Sequence, residues 1–167
     1  FVSLSVIKDI LESLMVMESG LSLPFLPKPI RHAHPVFIST NRKYYRMVWK
    51  NLPDLAGEAV LDLGTGTCAF GIMAALKNAV KVVATDIGSK AISVARSNVA
   101  EFALGDIIEV RPPGSMFEPL KDGERFNRII CSPPWLKGVP RTEYGMALFD
   151  PGYSFISTLI TQGPYYL

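Results

Sequence analysis

The sequence places its most distinctive chemistry after an apolar run, where Ser132 is followed by Pro133, Pro134 and Trp135. Two successive prolines fix φ and cannot continue a hydrogen-bonded ladder, so the chain is rigid and the carbonyls before them stay free to accept hydrogen bonds. A planar amino group fits such a corner, because the Ser132 hydroxyl and a main-chain carbonyl can accept its two N–H bonds while Trp135 stacks on its face. This arrangement directs the nitrogen lone pair toward an incoming electrophile and promotes reaction through proximity.

A glycine-rich turn and a carboxylate indicate a second site, for a nucleotide-like ligand. Gly64 and Gly66 follow an apolar run and let the backbone approach a ligand closely, next to the free N–H groups of a helix start. Asp86 ends the next apolar run, where its carboxylate can accept both hydroxyls of a ribose, and Ile87 can cover an adenine ring. The turn also matches the dinucleotide fingerprint in its glycine-to-alanine form, so a nicotinamide enzyme remains an alternative, whereas Asp62 before the turn favours a cationic cofactor.

The segments that must position these residues alternate between short apolar runs and helical stretches from residue 58 onward. This alternation is typical of βαβ units around a parallel sheet whose two faces are both covered. The predicted strands are 59–63, 80–85, 107–111 and 127–131, the predicted helices are 68–77 and 90–102, and a further helix begins near Pro151 or Ser154. The sequence therefore predicts an α/β fold, a doubly wound, mostly parallel sheet with the glycine turn, Asp86 and Ser132 at one edge.

The N-terminal part of the chain follows a different pattern. Periodic apolar residues over 6–17 predict an amphipathic helix that ends at Gly20, and four prolines between residues 24 and 35 predict a surface linker. Apolar residues then recur at helical spacing over 41–51, with Ser39 or Thr40 as the expected N-cap. We therefore predict an N-terminal helix and proline-rich linker at residues 1–35 and a ligand-binding domain at residues 36–167.

Composition restricts the class of protein. Apolar residues make up 49% and charged residues 19% of the 167 residues, which is typical of a globular domain with one core. The first apolar run is interrupted by Lys8, Asp9 and Glu12 and is too short to span a membrane. Two cysteines are too few for a disulfide framework and indicate a cytoplasmic location. His32 and His34 have no acidic or cysteine ligand near them in sequence, so we expect no metal site.

The net charge of +2 favours no particular partner, but one segment is locally basic. Between residues 20 and 53 there is no acidic residue, and the basic residues of this segment are Lys28, Arg31, Arg42, Lys43, Arg46 and Lys50. A solvated helix face explains such a run without any function. The alternative is that residues 28–50 contact a protein, RNA or DNA substrate, where nucleic-acid phosphates would bind the basic side chains.

With the glycine turn, Asp86 and the proline corner in place, the sequence resembles the class I methyltransferases over about residues 36–160, and within them the small-domain methyltransferases. That group includes release-factor glutamine, ribosomal RNA guanine and adenine-amino DNA and RNA methyltransferases. The resemblance implies a Rossmann-like fold, S-adenosylmethionine as cofactor and transfer of a methyl group to a planar nitrogen. It also implies that Ser132, Pro133, Pro134 and Trp135 position this nitrogen.

The same resemblance implies a set of cofactor-binding residues. The residues of the glycine turn are expected around the methionine part of the cofactor and Asp86 around its ribose. Phe37 is included because an aromatic ring beside a sulfonium gains from cation–π attraction. The expected set is Phe37, Thr40, Asp62, Gly64, Thr65, Gly66, Asp86, Ile87, Ser115 and Ser132.

Several features depart from the family pattern. The third turn glycine is replaced by Cys68, which is tolerable if its φ stays negative. Ser115 stands where an acidic residue often contacts the adenine amine, and Ser132 replaces the Asn of the glutamine and guanine enzymes. The family's sheet has seven strands, whereas the sequence predicts four, so we expect a truncated domain or a sheet edge covered by a partner. A truncated or inactive module that only binds the cofactor is the alternative function.

Overall fold

The computed structural model describes residue 11 and residues 14–167 of the chain. The helix predicted over residues 6–17 therefore lies mostly outside the described residues, and residues 14–19 are helical. This helical segment ends at Gly20, where φ is 79° and a Cβ would lie 2.8 Å from the carbonyl oxygen of Ile30. Glycine satisfies both constraints, which explains why the helix stops where the sequence predicts.

Four parallel strands form the main sheet in the order β3-β2-β1-β4. They are β1 (Ala59–Leu63), β2 (Lys81–Thr85), β3 (Ile108–Val110) and β4 (Arg128–Cys131). Leu63 pairs with Thr85 on one side and with Cys131 on the other, so three strands end level with one another. The predicted doubly wound α/β fold is confirmed, and the carboxyl ends of β1, β2 and β4 meet at one edge.

One face of the sheet is covered by α2 (Ala69–Leu76) and α3 (Ser89–Glu101), which connect β1 to β2 and β2 to β3. Val60 and Val82 from the strands share a buried cluster with Ile72 of α2 and Ala95 of α3. Helical crossovers of this kind are what parallel strands require. None of the described helices is both long and apolar enough to span a bilayer.

The opposite face is covered by residues that follow β3 and by the C-terminal helix α5 (Ser154–Gln162). Leu61 and Val83 of the sheet are buried against Phe117 and Phe126, and Phe155 of α5 packs on the same cluster. The helix predicted near the end of the chain is therefore present, and the strands are apolar because both of their faces are covered.

Helix α1 (Arg42–Asn51) precedes β1, and its N-cap differs from the prediction. The cap is Asn41, whose side-chain oxygen accepts a hydrogen bond from the N–H of Lys43 at 3.1 Å, a free donor at the helix start. The Ser39 hydroxyl accepts from the N–H of Asn41 at 3.2 Å instead. The expectation that Ser39 or Thr40 caps the helix is therefore wrong, although the helix itself is confirmed.

Short elements after β4 have no counterpart in the predicted pattern. They are β5 (Leu136–Lys137), α4 (Glu143–Met146), β6 (Phe149–Asp150) and a 3₁₀ turn (Pro151–Tyr153). β5 and β6 pair in parallel, and the N–H groups of Trp135 and Leu136 both donate to the carbonyl of Leu148, at 3.1 and 2.8 Å. Residues 138–148 thus form a loop whose two ends are joined by backbone hydrogen bonds.

The segment 21–30 differs from the predicted surface linker. Leu21 and Ile30 are fully buried, and their backbones exchange two hydrogen bonds of 2.8 and 3.0 Å. Leu23 is buried in the same cluster as Val60 of the sheet. The prolines therefore shape a compact hairpin-like turn that contributes to the main core, while the domain boundary before residue 36 stays a prediction.

Candidate functional site

The glycine turn follows β1 and is held by backbone contacts. Gly64 and Gly66 have φ angles of 70° and 54°, in the left-handed region that favours glycine. The N–H of Thr65 donates to the carbonyl of Thr85 at 2.8 Å, which attaches the turn to the end of β2. Cys68, just before α2, also has a positive φ of 62°. The condition of a negative φ is therefore not met, and Cys68 holds a conformation that L-residues adopt at a cost of roughly 1–2 kcal/mol.

Asp62 lies in β1, and its side chain contacts the glycine turn and α2. Its Oδ2 accepts hydrogen bonds from the Thr65 hydroxyl at 2.5 Å and from the N–H of Gly71 at 2.9 Å. The side chain is buried, and this burial raises the pKa of Asp62 to about 6 despite the two hydrogen bonds. Asp62 therefore fixes the turn to the first turns of α2, and it does not line the cavity described below.

Asp86 connects the end of β2 to the same turn. One carboxylate oxygen accepts from the N–H of Gly66 at 2.9 Å, and the other accepts from the N–H of Gly88 at 2.8 Å. Burial raises the pKa of this carboxyl, while hydrogen bonds from the Gly88 and Gly66 amides act in the opposite direction. Each oxygen keeps further lone-pair capacity, so the carboxylate can still accept hydrogen bonds from a ligand.

The proline corner begins directly after β4, which is the neighbour of β1 in the sheet, so the corner lies beside the glycine turn. The Tyr44 hydroxyl donates a hydrogen bond to Ser132 Oγ at 3.0 Å. The Trp135 ring is 56% exposed and meets the Phe37 ring edge-on, with ring centroids 5.7 Å apart. Phe37 also lies 5.7 Å from the ring of Tyr144 in α4. Phe37, Trp135 and Tyr144 therefore form an aromatic cluster, and Tyr44 contacts the serine hydroxyl.

A single cavity of about 510 Å³ joins these features. Most of the predicted site residues line it, namely Phe37, Gly64, Thr65, Gly66, Asp86, Ile87, Ser115, Ser132, Pro134 and Trp135. Thr40, Asp62 and Pro133 are not among the lining residues. The arrangement brings the glycine turn, the carboxylate and the proline corner to one edge of the sheet, in a volume within the range of small-molecule sites.

The cavity fits an adenosyl ligand. A Cβ at Gly64 would meet no atom within 4 Å, so the backbone there is open to an approaching group. Thr85 also lines the cavity, and within the described part of the chain its buried hydroxyl has no hydrogen-bond partner. An unpaired buried hydroxyl is costly unless a ligand satisfies it. Together with the Asp86 carboxylate, it provides polar contacts in a mostly apolar pocket.

Two residues that support this site escape the sequence prediction. Asn98 of α3 is fully buried, accepts from the N–H of Arg31 at 2.8 Å and donates to the carbonyls of Thr67 and Arg31 at 2.8 and 3.0 Å. It thereby ties the glycine turn to the N-terminal segment. A buried Asn on an apolar helix face is a signal that could have revealed it. No such signal marks Tyr44, because it lies among the apolar residues at helical spacing in α1, a position that is equally typical of a core residue.

The segment 28–50 is only partly available to a partner. The side chains of Arg42, Lys43, Arg46 and Lys50 are exposed. Within the described residues none of these four side chains forms a salt bridge, and Arg42 donates a hydrogen bond to the carbonyl of Ser22 at 3.2 Å. Trp49 stacks on Phe25 at 5.1 Å between ring centroids, so this aromatic ring belongs to the core rather than to a base-binding surface.

The chain belongs to the methyltransferase small domain family, whose model matches residues 43–155. This assignment confirms the predicted family and S-adenosylmethionine as its cofactor. The chain is similar to the release factor glutamine methyltransferase of Vibrio cholerae, with 30% identity over 119 residues that cover 65% of this chain and 41% of the relative. It is also similar to the tRNA1(Val) (adenine(37)-N6)-methyltransferase of Shewanella amazonensis, with 32% identity over 95 residues, 57% of this chain and 40% of the relative.

Among solved structures, a methyltransferase from Pyrococcus furiosus superposes with a TM-score of 0.59 at 20% identity, covering 98% of this chain and 73% of that chain. At this identity the likeness concerns the fold alone, and it agrees with the Rossmann-like α/β architecture. The chain spans about two fifths of the length of the two curated relatives named above.

Proposed function

We propose that the protein transfers the methyl group of S-adenosylmethionine to a planar nitrogen, either the side-chain amide of a protein or the exocyclic amine of a nucleobase. The observation that carries the proposal is the convergence of the glycine turn, Asp86 and Ser132 on one cavity of about 510 Å³. When bound, the cofactor supplies an electrophilic methyl group on a sulfonium centre. The residues of the chain would then bind and orient the two reactants and exclude water from them. They would not need to supply a strong base.

The residues divide this work between two parts of the cavity. Asp86, held by the amides of Gly66 and Gly88, would accept hydrogen bonds from a ribose. Ser132 Oγ would accept one N–H of the acceptor nitrogen, and Trp135, more than half exposed beside it, would stack on the planar group. With both N–H bonds accepted, the nitrogen lone pair would face the methyl group for in-line displacement.

The names of the relatives support a planar nitrogen as acceptor. One relative is named as a glutamine methyltransferase and another as an adenine-N6 methyltransferase, and both acceptors are amino groups on a planar system. The exposed basic side chains of α1 suit an RNA, DNA or acidic protein substrate. A cytoplasmic location stays a prediction that rests on the two free cysteines.

Calorimetric titration with S-adenosylhomocysteine tests the cofactor part of the proposal. We expect binding to the wild-type chain and a roughly 10- to 100-fold weaker affinity for Asp86→Ala, because hydrogen bonds to a charged group contribute about 1.5–3 kcal/mol. Asp106→Ala removes an exposed carboxylate before β3 and is the matched control, with unchanged affinity. An Asp86→Ala chain that binds as tightly as wild type would contradict the assigned ribose contact.

Transfer is tested with S-adenosylmethionine that carries a labelled methyl group. The two acceptors are a glutamine-containing peptide and an adenine-containing oligoribonucleotide, and label in either one supports methyl transfer and identifies the acceptor class. Cofactor binding without label in either acceptor would favour the alternative, a module that holds the cofactor without turnover. Absence of cofactor binding would overturn the proposal altogether.

A further inference from the structure

By the family resemblance, Ser132 stands where the glutamine and guanine enzymes usually carry an Asn. The two side chains differ in how firmly they direct their own acceptor oxygen. An Asn amide is planar, and its oxygen keeps both lone pairs in a fixed direction. A serine hydroxyl rotates, and it can present either its proton or a lone pair to a neighbour. A serine at this position therefore needs a second group that fixes its hydroxyl.

Tyr44 of α1 provides this contact, across 88 residues of sequence. Its hydroxyl donates to Ser132 Oγ at 3.0 Å, and both side chains line the cavity. One lone-pair direction of Ser132 Oγ is thereby occupied. Two directions remain at this oxygen, one for the Ser132 proton and one for a lone pair. An incoming N–H group therefore meets a hydroxyl whose rotation is restricted.

The Tyr44 ring is itself held in place by aromatic neighbours. It meets Phe70 of α2 edge-on with ring centroids 5.7 Å apart, and it lies 5.5 Å from the ring of Tyr45. Tyr45 is buried, and this burial raises its pKa to about 12, so it stays a neutral neighbour of Tyr44. Because Phe70 lies in the helix that follows the glycine turn, the same packing fixes Tyr44 relative to the cofactor part of the cavity.

We propose that Tyr44 is a positioning residue that orients the Ser132 hydroxyl toward the acceptor nitrogen and thereby replaces the planar rigidity of an Asn. This inference rests on the proposed function of the same site. It predicts that Tyr44 contributes to the rate of methyl transfer only while residue 132 is a serine.

The experiment measures labelled methyl transfer to the glutamine-containing peptide and the adenine-containing oligoribonucleotide in four chains: wild type, Tyr44→Phe, Ser132→Asn and the double variant. We expect Tyr44→Phe to reduce kcat about tenfold, the upper end of the effect of one neutral hydrogen bond, with S-adenosylhomocysteine affinity unchanged within about twofold. In the Ser132→Asn background the same substitution should reduce kcat less than about twofold, because the planar Asn amide directs its oxygen without a hydrogen bond from the Tyr44 hydroxyl. Tyr165→Phe removes an exposed hydroxyl and serves as control.

The outcomes separate this inference from the function on which it rests. An active wild-type chain whose rate is unchanged by Tyr44→Phe, or reduced equally with serine and asparagine at position 132, overturns the role of Tyr44 alone. A wild-type chain that transfers label to neither acceptor overturns the proposed function and this role with it. A loss of cofactor affinity in Tyr44→Phe that matches the loss of rate would show a merely structural role and would also contradict the inference.

Discussion

The two sides of the cavity are built differently. The cofactor side, formed by the glycine turn and Asp86, is held by backbone amides that donate to the buried Asp62 carboxylate and the partly buried Asp86 carboxylate at 2.8 to 2.9 Å. The acceptor side, formed by residues 132–153, presents large side chains to solvent. Trp135 is 56% exposed, Met146 45% and Tyr153 51%. One side is therefore fixed by the chain itself, whereas the other is open to contacts with a second molecule.

This difference agrees with the separate tasks proposed for the two sides, which are cofactor binding and recognition of the methyl acceptor. In the proposed function, a common cofactor would be bound by a rigid backbone cradle at the carboxyl ends of β1 and β2, where the parallel sheet aligns three strand ends. Recognition of the methyl acceptor would depend on short elements and a loop, which can vary while the sheet stays unchanged. Substitutions on the cofactor side should therefore lower stability, and substitutions on the acceptor side should lower transfer alone.

The largest effect on stability is expected from Asn98→Ala, which removes the buried support of the cofactor side. The substitution leaves the N–H and carbonyl of Arg31 and the carbonyl of Thr67 without their partner, so we expect a loss of about 3 kcal/mol in the free energy of unfolding. Urea denaturation measures it. Ser97→Ala, on the exposed side of the same helix, should change stability by less than about 0.5 kcal/mol. Equal stability of the Asn98→Ala and Ser97→Ala variants would contradict the view that buried hydrogen bonds hold the cofactor side.

A pH-dependent effect is expected from Asp62, also on the cofactor side. Its folded-state pKa of about 6 lies above the usual value of 3.8, so the folded chain binds the proton more tightly than the unfolded chain does. The contribution is favourable at low pH and is lost as pH rises through about 6, a change of about 3 kcal/mol at roughly 1.4 kcal/mol per pKa unit. Asp62→Asn lacks this titration.

Denaturation of both chains at pH 4, 5, 6 and 7 measures the effect of Asp62. The stability of wild type relative to Asp62→Asn should decrease over this range, while contributions of other titrating groups are shared by both chains. A difference that stays constant with pH would refute the assigned pKa.

The smallest effect on stability is expected from Trp135→Ala, on the acceptor side. Since the ring is more than half exposed, the free energy of unfolding should change by less than about 1 kcal/mol, and S-adenosylhomocysteine affinity should stay within about twofold. Transfer should fall roughly tenfold, as stacking on a planar group contributes about 1–3 kcal/mol. Trp135→Phe keeps an aromatic face and should retain most of the rate. Strong destabilisation by Trp135→Ala would mean that the acceptor side is as firmly packed as the cofactor side.

The sequence predicts the cofactor side well because its signals are local. β1 has the predicted bounds, since the mostly apolar run Ala59–Leu63 is followed directly by a glycine. β2 begins one residue later than predicted, and the glycine turn and Asp86 line the same cavity. The positive φ of Cys68 is not predicted, because no local pattern marks a cysteine in this conformation.

The acceptor side is predicted less completely because its contacts are not local. β5 and β6 have two residues each, too few for a periodic pattern, and they exist because residues 13 positions apart pair through the backbone. The hydrogen bond between Tyr44 and Ser132 joins distant parts of the chain. The burial of Leu21 and Ile30 likewise depends on packing against the sheet rather than on the proline content around them.

The backbone contacts that join the two ends of the loop 138–148 make it a site for grafting. The carbonyl of Leu148 receives two main-chain N–H groups, and β5 pairs with β6 on either side of the loop, so the closure depends little on the side chains between them. Apart from Gly138, where a Cβ would lie 2.8 Å from the Phe149 ring, segments of other composition or length are therefore expected to leave the paired strands in place. Exchange of this loop offers a route, in evolution or in engineering, to a new target on an unchanged methyl-donor scaffold.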